Sequence, residues 1–169
     1  MLEMVSFNPK CSGRLSFDQF VPISFRVPPY PRPDPIIWRT GDLQRNLFEI
    51  QIDSSTGEVC SATLIIFAGK FEPYDSASHS NVESTCGLPI IDLSKLSGGL
   101  VDEVHELVLN KQASELWLFF GSVQSPTRLL KCGRTHFLFC KKKLIGMGFT
   151  ELNAQETALL GQSIGGSTE

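Results

Sequence analysis

Two histidines stand close to carboxylates and are the side chains of this sequence best suited to acid–base chemistry. His105 lies in the run Asp-Glu-Val-His-Glu at 102–106, and His79 lies in a polar segment that also contains Asp75. Because imidazole titrates near neutral pH, a histidine beside a carboxylate can act as a general base. A solvated polar surface gives the same pattern more often, and we expect that role for both histidines.

The segment Gly161-Gln162-Ser163-Ile164-Gly165 matches the hydrolase pattern G-x-S-x-G. In a nucleophile elbow the serine follows a strand and opens a helix, and the acid and histidine come later in the chain. No histidine follows Gly165, and the preceding residues do not have a strand pattern. We therefore expect no catalysis here, and we predict a flexible tail over residues 163–169.

Cys132, His136 and Cys140 have a spacing that suggests zinc ligands. In a strand, residues four apart are separated by about 13 Å, too far to share one ion, even with a bulge at Gly133. The chain also has no glycine-rich phosphate loop. The sequence therefore predicts no metal site and no bound cofactor.

Acidic residues collect in two stretches. Glu72 and Asp75 lie in the polar segment 69–89 together with Glu83, and the second stretch contains Asp102, Glu103 and Glu106. Ordinary surface acidity explains such stretches, but an acidic docking face for a basic partner explains them as well. The candidate partner-binding residues are Glu72, Asp75, Asp102, Glu103 and Glu106.

Length and composition limit the class of protein. The chain has 169 residues, of which 41% are hydrophobic, so we expect a single domain over residues 1–169 with one core. The formal net charge of −3 disfavours direct nucleic-acid binding. No apolar run is long enough to cross a membrane, and no basic segment precedes an apolar leader. With five cysteines, an odd number, we expect a cytoplasmic protein with free thiols.

Alternating apolar and polar residues predict mostly antiparallel β structure. Residues 47–67 are typical of a hairpin, and the chain from residue 115 onward is typical of further antiparallel strands. Residues 92–113 fit either a helix or a hairpin, and we favour the hairpin. Asn153 and Glu156 match a capping box that opens a short helix through Leu160. The predicted fold class is α+β, with mostly antiparallel sheet and one or two helices.

Three segments lack a strand or helix pattern. We predict a loosely ordered N-terminal segment over residues 1–14 and a stiff proline-rich connector over 28–35. Residues 69–89 are polar and rich in turn-forming residues, and so long a loop is usually either functional or disordered.

The order of the strand patterns resembles a known family. The hairpin Leu-Phe-Glu-Ile-Gln-Ile-Asp with Thr-Gly-Glu-Val comes first, followed by Leu-Trp-Leu-Phe-Phe-Gly and then by Lys-Leu-Ile-Gly-Met-Gly-Phe-Thr-Glu-Leu-Asn-Ala-Gln-Glu. This order resembles bacterial immunity proteins that are encoded beside polymorphic toxins, including toxins of contact-dependent growth inhibition. The resemblance implies a cytoplasmic, non-enzymatic protein that binds a cognate toxin domain, often a nuclease, and occludes its active site. The acidic pI of about 5.6 suits a basic toxin.

Two other functions are compatible with the sequence. One is a small-ligand-binding β module whose pocket is closed by residues 69–89. The other is a small enzyme that uses His105 or His79 with nearby carboxylates. An enclosed pocket with convergent polar groups would favour ligand binding, whereas a solid core with a flat acidic face would favour protein binding.

Overall fold

Strands are the most abundant regular secondary structure in this computed structural model, which describes residues 1–164. In chain order the strands are β1 (Met4–Asn8), β2 (Arg14–Ser16), β3 (Ile23–Arg26), β4 (Ile36–Gly41), β5 (Leu47–Ile52), β6 (Val59–Ile66), β7 (Lys70–Phe71), β8 (Glu83–Cys86), β9 (Leu88–Ile91), β10 (Leu100–Val104), β11 (Leu107–Lys111), β12 (Leu116–Phe120), β13 (Arg128–Cys132), β14 (Thr135–Cys140) and β15 (Lys143–Phe149). The helix α1 (Ala154–Ile164) follows β15, and short 3-10 helices span Ser76–Asn81 and Leu93–Lys95.

The strands of residues 1–164 pair into three sheets. The first has six strands in the order β10-β4-β5-β6-β3-β2, the second has seven in the order β7-β11-β12-β15-β14-β13-β8, and β1 pairs with β9 in the third. Most neighbours are antiparallel, but β10, β7 and β8 each run parallel to their neighbour. The structure thus confirms the broad α+β class and a C-terminal helix, whereas the sheets are mixed. Each of these parallel strands lies at the edge of its sheet. Its pairing partner is distant along the chain, and a hairpin pattern predicts only antiparallel pairing between successive strands.

The two large sheets pack face to face through alternate side chains. In β5, Phe48 is fully buried and the neighbouring Glu49 is half-buried, as a period of two requires. The Phe120 ring of the seven-stranded sheet lies 5.2 Å from the Phe48 ring and 5.4 Å from the Trp38 ring. These aromatic contacts place the main core between the sheets.

Two predicted hairpins are confirmed. β5 and β6 run antiparallel within residues 47–67, and the Asp53 carboxylate accepts hydrogen bonds from the backbone of Ser55 and Thr56 in the turn. β11 and β12 form the second hairpin, as we favoured for the end of the ambiguous segment 92–113. The earlier part of that segment forms a 3-10 turn and the separate strand β10.

The predicted capping box at the start of α1 is confirmed. The Glu156 N–H donates to the Asn153 side-chain oxygen at 2.9 Å, and the Asn153 N–H donates to the Glu156 carboxylate at 3.0 Å. The helix continues past the predicted end at Leu160, because Leu160 and Ile164 are both buried on one face. Ser163 therefore lies in the helix rather than in a tail, and residues 165–169 lie outside the described part of the chain.

Two segments without a local pattern are nevertheless structured. β1 pairs with β9, and Leu2 and Met4 are buried. The prediction that residues 1–14 are loosely ordered was therefore wrong. The polar segment 69–89 contributes two edge strands and a 3-10 helix instead of one long loop. Both segments depend on partners far along the chain, which local periodicity does not reveal. The proline-rich residues 28–35 do connect β3 with β4 as predicted.

Cysteine 132 departs from expectation in two ways. β13 ends at Cys132 and a turn at Gly133, with φ of 58°, leads into β14, so Gly133 forms a hairpin turn rather than a bulge. Cys132 is bonded to Cys11, with a Cα–Cα distance of 5.5 Å inside the usual range for a disulfide. The expectation of five free thiols was wrong, because an odd count does not exclude one bridge.

Candidate functional site

Strand β10 carries Asp102 and Glu103 at one edge of the six-stranded sheet, where it pairs with β4. Alternate side chains of a strand project to the same side, so Leu100 and Val104 flank Asp102 on the outer face. Leu100 is 51% exposed and Val104 is 71% exposed. The edge therefore presents a carboxylate between two exposed apolar side chains.

Arg39 of β4 faces Asp102 across this edge. The Arg39 guanidinium donates two hydrogen bonds to the Asp102 carboxylate, at 2.8 and 2.9 Å. These bonds lower the pKa of Asp102. The planar fork fixes the orientation of both side chains.

The other two carboxylates of this stretch also have basic partners. Glu106, in the connection to β11, lies 2.7 Å from the Lys70 ammonium. Glu103 contacts the amino-terminal nitrogen of Met1 and lies 3.3 Å from the His105 ring. Each of the three carboxylates of the predicted acidic face is therefore paired with a basic group.

The first acidic stretch is divided between opposite sides of the molecule. Glu72 directly follows β7 at one edge of the seven-stranded sheet, and the Asp75 carboxylate accepts from the Ala77 N–H at the start of a 3-10 helix. Glu83 begins β8 at the far edge and lies 2.6 Å from Arg128. The carboxylates of this stretch are close in sequence, but they do not form a single acidic surface.

The Lys70–Glu106 contact links the β7 edge to the β10 edge, so Glu72 lies on the same side of the molecule as Glu106. A shallow cleft of about 410 Å³ between the two edges is lined in part by Val104 and His105. The β10 surface comprises the side chains that flank these edges: Arg39, Lys70, Leu100, Asp102, Val104 and Glu106.

A second cluster lies on the outer face of the seven-stranded sheet. Trp117 of β12 is paired with Gly148 of β15, and Gly148 is paired with His136 of β14. A Cβ atom at Gly148 would lie 2.1 Å from the indole, so the glycine makes room for the ring. The indole consequently contacts His136, with 5.6 Å between ring centroids.

His79 reaches the same indole from the 3-10 helix above the sheet. Its ring centroid lies 4.7 Å from that of Trp117, and its Nε2 atom contacts the Tyr74 hydroxyl. The predicted solvated role of His79 is therefore wrong, because residues 74–79 pack onto the sheet. We call His79, Trp117 and His136 the histidine cluster.

Burial lowers the pKa of both imidazoles of the cluster, which favours their neutral forms. Desolvation, with a smaller contribution from Lys131, lowers the pKa of His136 to about 4, and desolvation also lowers the pKa of His79. The Nε2 atom of His136 lies 3.3 Å from the Thr150 hydroxyl. Its Nδ1 atom is buried and has no hydrogen-bond partner within the structure.

A pocket of about 260 Å³ opens beside the histidine cluster, with Glu115, Lys131 and Thr150 in its wall. Neutral imidazoles with a carboxylate and an ammonium can hydrogen-bond a small polar molecule. The sequence predicted no metal site at His136, but its motifs gave no sign that His136 and His79 meet at the same indole. Glycine within an otherwise apolar strand was the available signal, since it marks close approach of another group.

Residues 1–164 contain no group of three His, Cys, Asp or Glu side chains that could hold a metal ion. The hairpin turn puts Cys132 in the core and His136 on the outer face. Over the same residues, no helix is long and apolar enough to cross a membrane.

No family model matches the chain, and no curated protein matches its sequence significantly.

Proposed function

We propose that this protein is a non-enzymatic immunity protein that binds a cognate toxin domain through the β10 surface and thereby occludes the toxin. The observation that carries the proposal is the edge strand β10, which combines exposed Leu100 and Val104 with the oriented Arg39–Asp102 pair. The family resemblance of the strand order supports a toxin as the partner.

The composition of the β10 surface suits a protein interface. Binding energy in interfaces is concentrated in a few desolvated anchors, and arginine is enriched among them. Val104 lies opposite Gly41, and that row of cross-strand partners continues through Leu47 to Ile66, which is 44% exposed. The apolar contact area therefore extends from the edge onto the outer face.

The ion pairs determine how the carboxylates contribute to binding of the partner. Because Asp102, Glu103 and Glu106 already have basic partners, they do not imitate free phosphates, as an unpaired acidic face would. They instead present fixed pairs of opposite charge, which orient a partner more than they attract it. We expect affinity to come mainly from Leu100 and Val104.

The decisive experiment measures binding to the toxin domain encoded beside this protein. Val104→Asp places a charge among the apolar contacts and should weaken binding about tenfold or more. Val5→Asp is the matched control, because Val5 is another exposed strand valine, at 56%, and should change the dissociation constant less than about twofold. The absence of any toxin gene, or equal effects of the two variants, would overturn the proposal.

A charge swap tests whether the orientation of the ion pair is recognised. Asp102→Arg combined with Arg39→Asp keeps an ion pair and the net charge but exchanges the two ends. If the partner contacts this pair, the swap should weaken binding about tenfold, as for other close interfacial charges. Unchanged binding by the swap would show that the partner does not contact this ion pair, while a binding defect in a folded protein would support an interface on β10.

Small-ligand binding is the second candidate function, and the histidine cluster favours it. Its pocket is closed on one side by residues 74–79, as the ligand-binding alternative requires, and the buried Nδ1 atom of His136 has no hydrogen-bond partner within the structure. The Glu115 carboxylate, the Lys131 ammonium and the Thr150 hydroxyl in the pocket wall are the groups that can hydrogen-bond a polar ligand. A library screen that follows the fluorescence of Trp117 in a Trp38→Phe background tests this function, and a hit must lose binding in His136→Phe.

A further inference from the structure

Two arginines face each other directly on the short strand pair β2–β3. Arg14 is the register partner of Arg26, and Ser16 is the register partner of Ser24 on the same face. Directly opposed residues of antiparallel strands have Cβ atoms about 5 Å apart, and like charges at such positions destabilise a sheet. This arrangement therefore calls for a compensating anion.

The chain itself does not supply that anion. Among the described residues, neither Arg14 nor Arg26 has a carboxylate within ion-pair distance, and neither guanidinium donates a hydrogen bond. Three half-buried arginines are paired, Arg39 with Asp102, Arg128 with Glu83 and Arg134 with Glu156. What distinguishes Arg14 and Arg26 from Arg45, which is equally unpaired in the described part of the chain, is that they lie directly opposite each other.

Tyr30 holds one of the two guanidinium groups. The central carbon of the Arg26 guanidinium lies 4.9 Å from the centre of the Tyr30 ring. A guanidinium stacked on an aromatic face keeps its N–H donors in the plane of the group, where they remain able to bind an oxyanion. Residues 28–35 thus provide a support for Arg26 in addition to connecting two strands.

A cavity of about 500 Å³ lies over this pair. Its wall combines the two arginines with the hydroxyl-bearing Ser16 and with apolar groups of Leu15 and Pro28, beside Tyr30. Such a volume falls within the range of small-ligand sites. The Ser24 hydroxyl, one residue pair along the same face, is 5% exposed and has no hydrogen-bond partner in the structure.

We propose that Arg14, Arg26 and Tyr30 form a binding site for a small phosphate monoester. A phosphate dianion has enough oxygens to accept from both guanidinium forks and would remove the repulsion between them. The organic group of the ester would contact Leu15, Pro28 and Tyr30. This site is separate from the β10 surface, because β2 and β10 are opposite edges of the six-stranded sheet.

The test titrates the full chain with phenyl phosphate and with inorganic phosphate at constant ionic strength, by calorimetry or by chemical-shift changes. We expect saturable one-to-one binding of phenyl phosphate, about tenfold weaker in Arg14→Gln and in Arg26→Gln, because each loses charged hydrogen bonds. Arg45→Gln is the control, since Arg45 has no ion pair among the described residues, and it should bind like the unaltered protein.

Three outcomes would overturn the proposal. The first is no saturation by phenyl phosphate up to about 50 mM, which corresponds to binding too weak for a built site. The second is equal loss of binding in Arg45→Gln, which indicates general electrostatic attraction. The third is equal affinity for inorganic phosphate and phenyl phosphate, which contradicts a role for the apolar wall. Thermal unfolding of each variant without ligand verifies folding, and both glutamine variants should be at least as stable as the original at low salt.

Discussion

The outer faces of the two large sheets differ although the inner faces of both contribute to one core. On the seven-stranded sheet, Tyr74 and Val82 pack over a second group of buried side chains, which comprises Val108, Trp117, Phe119, Leu129, Leu138 and Ile145. On the six-stranded sheet, the corresponding face carries half-buried polar groups such as Arg39, Glu49 and Gln51. Substitutions should therefore reduce stability on the covered face and partner binding on the uncovered face.

The largest effect should come from removing the indole of the covered face. We expect Trp117→Ala to lower the free energy of unfolding by about 3–5 kcal/mol, because a buried aromatic ring leaves a cavity. Ile37→Ala, on the half-exposed outer face of the other sheet, should cost less than about 1.5 kcal/mol. Urea denaturation measures both. Equal losses would mean that residues 74–82 do not cover the face in solution.

The disulfide should have the next largest effect, since it joins the segment before β2 to β13 and so connects the two large sheets. Cys11→Ser should lower the free energy of unfolding by about 2–4 kcal/mol, as a bridge that closes a long loop does. Cys86→Ser, at an exposed free thiol, should change it little. A count of five reactive thiols in the unfolded, unreduced protein would contradict the bridge, which predicts three.

Acid should destabilise the covered face through His136. Its pKa is about 4 in the folded protein and about 6.5 in an unfolded chain, so the unfolded state binds the extra proton between these values. The part of the folding stability that depends on neutral His136 is therefore fully present above pH 6.5 and is lost as the pH is lowered to 4. We expect a loss of about 2 kcal/mol between pH 7 and pH 4.5 that is absent in His136→Gln. The control His105→Gln, near the uncovered face, should retain most of the acid-induced loss of stability. An unaltered pH dependence in His136→Gln would contradict the attribution of this loss to His136.

The smallest effect on stability should come from the uncovered ion pair. Asp102→Asn removes a solvent-exposed partner of Arg39, and such pairs contribute little to folding. The unfolding midpoint in urea should therefore stay within experimental error of the original, while toxin binding weakens. A clear loss of stability in Asp102→Asn would show that the pair belongs to the fold rather than to an interface.

Local patterns accounted for the elements whose partners are close in sequence. The alternation in residues 47–67 and the Asn153–Glu156 capping box each involve neighbours, so their geometry follows from a few consecutive residues. The candidate carboxylates were identified as charged groups, but their partners were not. Arg39 meets Asp102 only because β10 joins β4 in parallel, a pairing that no hairpin pattern predicts.

The sequence by itself determined the class of fold, the two hairpins, the proline-rich connection and the capped helix, because propensity and periodicity act over short distances. Tertiary structure alone decided which polar residues are solvated. It packed His79 and His136 against Trp117, paired Asp102 and Glu103 of β10 with basic groups and placed Arg14 beside Arg26. The physical reason is that charge and hydration depend on neighbours in space, and strand pairing brings together residues whose separation along the chain carries no local signal.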